Sequence, residues 1–264
     1  MNRIFQQLFI IITSLLSLMF LSGCTLEFDK KPDDQILVLP FSIEMQSMRS
    51  TPNDGSQIID ITELQMGDIL LSRAIGLTSL GVRAFTTSSV SHAAIYIGDN
   101  QVAEAVGKGV QFITLDDSIA ESRMVAVYRY PELNEENKTK IREFANIHLG
   151  KKYNYLGIAL MVPFSLTRQI CEIPPLGHTI RNECLQLLAS IQVGQHKSQQ
   201  RFFCSQFVLE AYNYAGQPIT DSNPVWINPD DLMHMREGDV KSMMPNKELI
   251  YVGHLKTSGK ANKA

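Results

Sequence analysis

Residues 90–106 read VSHAAIYIGDNQVAEAV, and the fold follows from how this stretch is read. Val90 to Ile97 is apolar and rich in β-branched and aromatic residues, so it reads as a buried strand. Gly98-Asp99-Asn100 supplies turn chemistry, and Gln101 to Val106 returns as a second strand, closing a hairpin. Two polar side chains interrupt these apolar runs, His92 and Glu104. If Gly98, Asp99 and Asn100 form a three-residue loop, Ala103 falls opposite Ile95 and Ala94 opposite Glu104. Side chains alternate with period two, so His92 and Glu104 then share a face, one diagonal apart. A two-residue loop would put them on opposite faces. The sequence permits the first register without forcing it.

Outward from the hairpin, Leu64 to Ser72 (LQMGDILLS) reads as a turn at Met66-Gly67-Asp68 leading into an apolar strand. Gly107 and Gly109 break the return strand, and Val110 to Ile113 can form another. Met124 to Tyr130 (MVAVYRY) alternates toward Pro131 and reads as a further strand. The period then changes. Ile141, Phe144, Ala145 and His148 recur at helical spacing, with Asn134 placed as N-cap and Gly150 after the C-terminus. A second helix is expected over Phe202 to Ala215, with Cys204, Val208, Ala211 and Ala215 on one face, ended by Gly216-Gln217-Pro218. Between the helices, residues 156–200 hold Pro163, Pro174 and Pro175 and open on the very apolar LGIALMVPF, which reads as an inserted, partly helical segment. Glu248 to Leu255 is the last expected strand. Strands first and helices later argue for an α+β fold.

Composition narrows the function classes. The chain has 264 residues, of which 44% are hydrophobic and 19% charged, which excludes a wholly disordered protein. A net charge of -3 gives no electrostatic case for nucleic-acid binding. Four cysteines without a CxxC pair fit neither a disulfide miniprotein nor a zinc ribbon. No metal or organic cofactor is indicated.

The N-terminus carries an address. Arg3 precedes the apolar run of residues 8–20 (LFIIITSLLSLMF), which suits a signal-peptide core and is short for a membrane span of ~20 residues. Leu21-Ser22-Gly23-Cys24 then looks like the bacterial lipoprotein processing box. On that reading residues 1–23 are removed and Cys24 becomes a lipidated N-terminus, with an anchor helix and an incidental cysteine as the other reading. Several acyl chains would hold the protein on a membrane strongly. Thr25, rather than Asp, after the cysteine favours the outer membrane by the sorting convention of Gram-negative lipoproteins. Residues 24–60 read as a tether with one short strand at Ile36 to Phe41. The folded domain is expected over 61–256, with the insert at about 156–200 and a tail at 257–264.

The chemistry centres on Cys204. A cysteine in the first turn of a helix sits near unpaired N–H groups and the positive end of the dipole, which favour the thiolate. The same N–H groups could help hold an oxyanion. Cys204 also lies on an apolar face, where an inert core cysteine would lie. His92 is the candidate base, and Glu104 its candidate partner. Among the other histidines, His148 ends a helix, His178 and His196 lie in the insert and His234 in a Met-rich turn, which leaves His254 in the last strand as the strongest competitor. Cys171 and Cys184, both in the insert, would pair in an exported protein, which contributes roughly 3 kcal/mol in the chain-entropy model. Two buried thiols is the other reading. With Cys24 lipidated and these two paired, Cys204 is the one free thiol, which marks it as reactive.

These residues resemble a known family. LQMGDILL at 64–71, SHAAIYIG at 91–98 and Ala103-Glu104-Ala105 are similar to the second half of an NlpC-type papain-fold hydrolase. GKKYNYLG at 150–157 and FCSQFV at 203–208 resemble its first half. The halves are swapped, so the chain resembles the circularly permuted branch of cysteine hydrolases, the YaeF/YiiX group, and more distantly the lecithin-retinol acyltransferase-like enzymes. The resemblance implies a permuted papain-like fold in which an antiparallel sheet packs against helices that include the Cys helix. It implies Cys204 as nucleophile, His92 as base and acid, Glu104 as the residue orienting the imidazole, and Tyr153 as a side chain lining the site. The implied activity is amide hydrolysis through an acyl-enzyme, with a peptide or amide of the cell envelope as substrate. The permuted relatives also suggest an enzyme acting on acyl esters or transferring acyl chains. Leu156 to Phe164 would suit an acyl chain or, more simply, a core helix. A non-catalytic envelope binding module is the reading from another class.

Overall fold

The apolar runs at 69–74, 92–98, 101–106 and 122–129 form strands, and the runs with a 3.6-residue period at 135–148 and 204–214 form helices. The computed structural model describes residues 24–27, 42–47, 49–51, 55–74, 89–172, 178–194 and 201–256. In chain order the strands are β1 Cys24–Glu27, β2 Ser42–Met45, β3 Ile58–Ile59, β4 Ile69–Ala74, β5 His92–Gly98, β6 Gln101–Val106, β7 Gly109–Thr114, β8 Ser122–Arg129, β9 Lys152–Tyr153, β10 Arg201–Phe202 and β11 Ile250–Leu255. The helices are α1 Leu115–Ala120, α2 Glu135–His148, α3 Tyr155–Thr167, α4 Gln169–Glu172, α5 His178–Gln192, α6 Cys204–Tyr214 and α7 Pro229–His234.

Among the described residues, seven strands make one sheet in the order β3-β11-β8-β4-β5-β6-β7, antiparallel except where β11 meets β3. Ile69, Leu71, Ile95, Ala103 and Ala126 point to one face, where Ile141 and Phe144 of α2 and Phe207, Val208 and Ala211 of α6 complete the main core. Leu70, Ala94, Val102, Val125 and Val127 point to the other, where Leu115 and Ile119 of α1 cover them. The fold is α+β as expected. Asn134 caps α2 by accepting from the Asn137 amide. The Gly67-Asp68 turn before β4 is pinned by buried Asp68, whose carboxylate accepts from Arg129 Nε at 2.7 Å and Nη2 at 2.8 Å.

The central hairpin corrects one expectation and keeps its consequence. Gly98 pairs with Gln101, so the loop is the two residues Asp99 and Asn100, both left-handed at φ 53° and 58°. Aspartate and asparagine tolerate that conformation better than other non-glycine residues. Such a loop alone would have split His92 and Glu104 between faces. A bulge between Tyr96 and Gly98 restores the pairing Ala94↔Glu104 and Ile95↔Ala103. The extra residue of the bulge does what a third loop residue would have done.

The folded unit also begins earlier than Ile61. Gln46 donates to the Val240 carbonyl and to Ser242 Oγ, each at 2.9 Å. The Ser47 amide donates to Asp239 at 3.0 Å, Arg236 donates to the Arg49 carbonyl at 3.0 Å, and Tyr128 Oη donates to the Ser50 carbonyl at 2.6 Å. Polar tether-like residues therefore pack here, because the domain offers buried charged partners that a hydropathy reading does not register. Further upstream, β1 and β2 pair antiparallel, with Cys24 opposite Met45. The signal segment, the expected strand at Ile36 to Phe41, Pro174, Pro175, His196 and the tail at 257–264 lie outside the described residues.

The insert forms α3 to α5. Gly157, Met161 and Phe164 bury one face of α3, while Leu156 and Leu166 remain exposed, so α3 is not a plain core helix. Cys171 and Cys184 are bridged. Arg168 forms a buried pair with Asp231 of α7, at 2.6 and 3.0 Å, and bonds Glu172 at 2.8 Å. This ties the insert to the domain.

Candidate active site

Cys204 is the first residue of α6. Its N-cap is Phe203, which is extended and offers no side-chain hydrogen bond to the helix. The first N–H groups of α6 are therefore left for the sulfur and its surroundings. Backbone N–H groups of Ser205 and Ala93 bond the sulfur. Phe202 and Phe203 are buried beside it, and so is Cys204 itself. Among the described residues it is the free thiol.

His92 opens β5, and the Cys helix meets the hairpin at that end of the strand. The imidazole Nε2 lies 2.7 Å from Glu104 Oε2. The other ring nitrogen, Nδ1, is left to the hydrogen bond that His92 makes with Cys204. Glu104 is buried, and its second oxygen accepts from Gln111 Nε2 at 2.8 Å. The order is thiol, imidazole, carboxylate, carboxamide, and the last two links are hydrogen bonds of 2.7 and 2.8 Å.

The charges follow from this chain. Burial pulls the His92 pKa down, but hydrogen bonds to Cys204 and Glu104 and the negative charges on both outweigh it, so the imidazole is pushed up to about 10. Burial alone would raise the Cys204 thiol, but the bond and charge of His92 with the Ala93 and Ser205 amides bring it below its ordinary value. Burial also works against ionised Glu104, and His92 and then Gln111 hold it below the usual range. The resting state these directions describe is a thiolate–imidazolium pair backed by a carboxylate.

Tyr153 reaches the same place. It sits on β9, whose parallel partner β10 leads directly into Cys204, with Tyr153 beside Phe202. Its burial and the nearby Cys204 charge push its phenol pKa up, so it stands there as a neutral hydroxyl. Asn154 fixes this junction. Its amide donates to the Phe202 carbonyl at 3.0 Å, its Nδ2 to Gln206 Oε1 at 3.0 Å, and its Oδ1 accepts from Gly157 at 3.0 Å. Gly157 is needed for that approach, since a Cβ there would come within 2.5 Å of Asn154 Nδ2.

The structure therefore brings Cys204, His92, Glu104 and Tyr153 together. It leaves His148, His234 and His254 out. His148 Nδ1 bonds the Phe144 carbonyl at 2.8 Å. His234 Nδ1 lies 3.0 Å from Asp239. His254 Nε2 lies 3.1 Å from Ser50 Oγ, on β11, three strands from β5. The sequence reading missed Gln111, Asn154 and Gln206. Gln111 was within reach of it, because the Gly107-Lys108 turn pairs Val106 with Gly109 and so sets Gln111 directly opposite Glu104. Among the described residues, no group of three or more His, Cys, Asp or Glu is placed to hold a metal ion.

Comparison with known proteins shows the family. A family model described as "Permuted papain-like amidase enzyme, YaeF/YiiX, C92 family" matches residues 63–157, which include His92, Glu104 and Tyr153. The chain is also 40% identical over 247 residues to "Probable lipoprotein peptidase YaeF" of Escherichia coli (strain K12), covering 91% of this chain and 90% of that one. The chain belongs to the YaeF/YiiX permuted papain-like amidase family. YaeF/YiiX proteins are cysteine peptidases and amidases, and this chain is an enzyme of that kind. A solved structure titled as that of metalloprotein yiiX from Escherichia coli O157:H7 is similar at 21% identity and a TM-score of 0.39, covering 71% of this chain and 88% of that one.

Proposed function

We propose that the protein is a lipid-anchored thiol hydrolase that cleaves an amide bond in a cell-envelope peptide through an acyl-enzyme. The observation that carries this is the imidazole of His92, bonded on one side to buried Glu104 and on the other to the Cys204 thiol. The Cys204 sulfur attacks the carbonyl carbon, and the first N–H groups of α6 hold the oxyanion. His92 gives its Nδ1 proton to the leaving amine as the C–N bond breaks, leaving a thioester. A water then gives a proton to His92 and its hydroxide to the carbonyl, releasing the acid and restoring the Cys204 thiolate beside protonated His92. Glu104 keeps the imidazole in one orientation and stabilises its charge. Tyr153 lines the site beside Cys204. Cys24, opening the mature chain, is the site of acylation and the membrane anchor, and the envelope location, facing the periplasm from the outer membrane, follows from it.

The test is alkylation of the mature protein by iodoacetamide as a function of pH. Cys204 is expected to react with an apparent pKa below the free value of ~8.5, and His92→Ala to return it to that value or above. A folded protein whose Cys204 is inert, or indifferent to His92, would overturn the hydrolase reading.

A further inference from the structure

Half of the large apolar side chains that the described structure leaves exposed lie between residues 155 and 191, in the insert. On α3 the exposed large apolar positions are Tyr155, Leu156 and Leu166, and Ile170 follows on α4. Their spacing puts them within one 100° arc of a continuous helical surface. No Asp, Glu, Lys or Arg occurs from Tyr155 to Thr167. On α5 the exposed apolar positions are Ile180, Leu187 and Ile191, which fall on a still narrower stripe bordered by Glu183. Two cross-links join these helices. Cys171 is bridged to Cys184, and Thr167 Oγ1 donates to Gln192 Oε1 at 2.8 Å. Each link has an exposed apolar residue next to it in sequence, Leu166 and Ile170 on one side and Ile191 on the other. An apolar face of this extent on a folded protein marks an interaction site.

We propose that this face of the insert is a bilayer-docking surface, seated in the head-group and upper acyl region of the membrane that holds the lipid anchor. This rests on the lipid anchor proposed at Cys24. Three observations favour a bilayer over a protein partner. Strand β1, which begins at Cys24, packs against α5, so the chain end that would enter the membrane leaves the domain beside this face. At 13 residues α3 is too short to cross a bilayer and long enough to lie in its interface. Exposed Lys152 stands just before α3, where it would meet anionic head groups. The same helix begins at the catalytic site, since Asn154 caps it and bonds the Cys helix while Tyr155 stacks edge-on against Tyr153 at 5.0 Å. Docking by this face would bring Cys204 to the membrane surface, and the substrate would be an amide of a membrane-attached molecule.

The test uses the mature lipidated protein in vesicles of phosphatidylethanolamine and phosphatidylglycerol, with and without lipids brominated near the head group. Leu166→Trp and Leu187→Trp report on the insert, and Ile147→Trp on α2 reports on an exposed apolar site elsewhere. Trp226 is buried and supplies a constant background. The brominated lipid is expected to remove roughly half of the added emission at residues 166 and 187 and to leave that at residue 147 unchanged. Emission at 166 and 187 that brominated lipid does not quench, or equal quenching at 147, would overturn the proposal. Emission that shifts with protein concentration but not with brominated lipid would assign the face to a second copy of the chain and also overturn it. The mass of the N-terminal peptide, measured on the same sample, tells separately whether Cys24 is acylated, so failure of the anchor and failure of the docking face give different results.

Discussion

Glu104→Gln preserves shape and removes one charge from the proposed site. In the native protein Glu104 Oε2 lies 2.7 Å from His92 Nε2 with little water nearby, and Gln111 satisfies the other oxygen. A hydrogen bond to a charged partner contributes about 1.5–3 kcal/mol, and a neutral one about 0.5–1.5 kcal/mol. The variant keeps the neutral bond once Gln111 turns its own carboxamide to accept. The difference of roughly 1.4 kcal/mol acts on the protonated imidazole and corresponds to about one pKa unit. The His92 pKa, near 10 in the native protein, should therefore fall by about one unit. The thiolate–imidazolium pair should fall roughly tenfold relative to the neutral thiol and imidazole. Titration of the His92 ring by NMR reads the first quantity, and the plateau rate of iodoacetamide alkylation of Cys204 reads the second. An imidazole pKa that stays where it was, with an unchanged alkylation plateau, would refute the claim that the Glu104 charge supports the pair.

Other expectations follow from the same contacts. Gln111→Leu leaves one buried oxygen of Glu104 without its donor, which costs about 1–2 kcal/mol and should lower kcat several-fold with KM little changed. Steady-state kinetics on any amide substrate would show it, and an equal loss through KM would contradict it. Replacing both Cys171 and Cys184 by Ala should lower stability by about 3 kcal/mol, read as a fall in Tm of several degrees. A Tm that is the same before and after reduction of the native protein would count against this. Stability should also fall as pH rises. His234 is buried, which opposes its charge, yet Asp230 and Asp239 raise its pKa to about 9. Its contribution is complete below the unfolded value near 6.5 and is lost as pH rises through 9, with a slope of at most about 1.4 kcal/mol per pH unit. The Cys204–His92 pair adds little to that slope, because the folded state holds one proton on His92 where the unfolded state holds one on the Cys204 thiol. Thermal melts from pH 6.5 to 9 should show the decline, and His234→Gln should flatten it; a decline of the same size in that variant would assign the slope to another group.

The sheet and helices were legible because they rest on periodicity and punctuation. The GD turn, the hairpin at Asp99-Asn100 and the helix capped by Asn134 each announce themselves within a few residues. The His92–Glu104 pairing was legible only as a register, and its physical cause was different, since a bulge at Ile97 supplies the residue that the loop lacks. The junction at Asn154 and Gln206 was not legible. It depends on a parallel contact between β9 and β10, two short strands 48 residues apart, and short pairings of that kind leave no periodic trace. The packing of residues 46–50 was hidden for a related reason. Their partners are Asp239, Arg236 and Tyr128, distant buried polar groups that a polar segment seeks as readily as apolar ones seek a core.

With an anchor at Cys24, the pairing of the N-terminal strand with β2 would set how far the enzyme can roam. From Cys24 to Gln46 an extended leash would reach about 70–80 Å, enough to patrol a wide zone away from a membrane. Instead Cys24 lies opposite Met45, one residue before Gln46 is fastened to Val240 and Ser242. Opposed strand residues are only about 5 Å apart, so the reach left between Cys24 and the body is a small part of that length. An acyl chain at Cys24 would hold the catalytic body against the lipid at a fixed stand-off. Its search would be two-dimensional, and substrates fixed at a distance from the surface would never meet it.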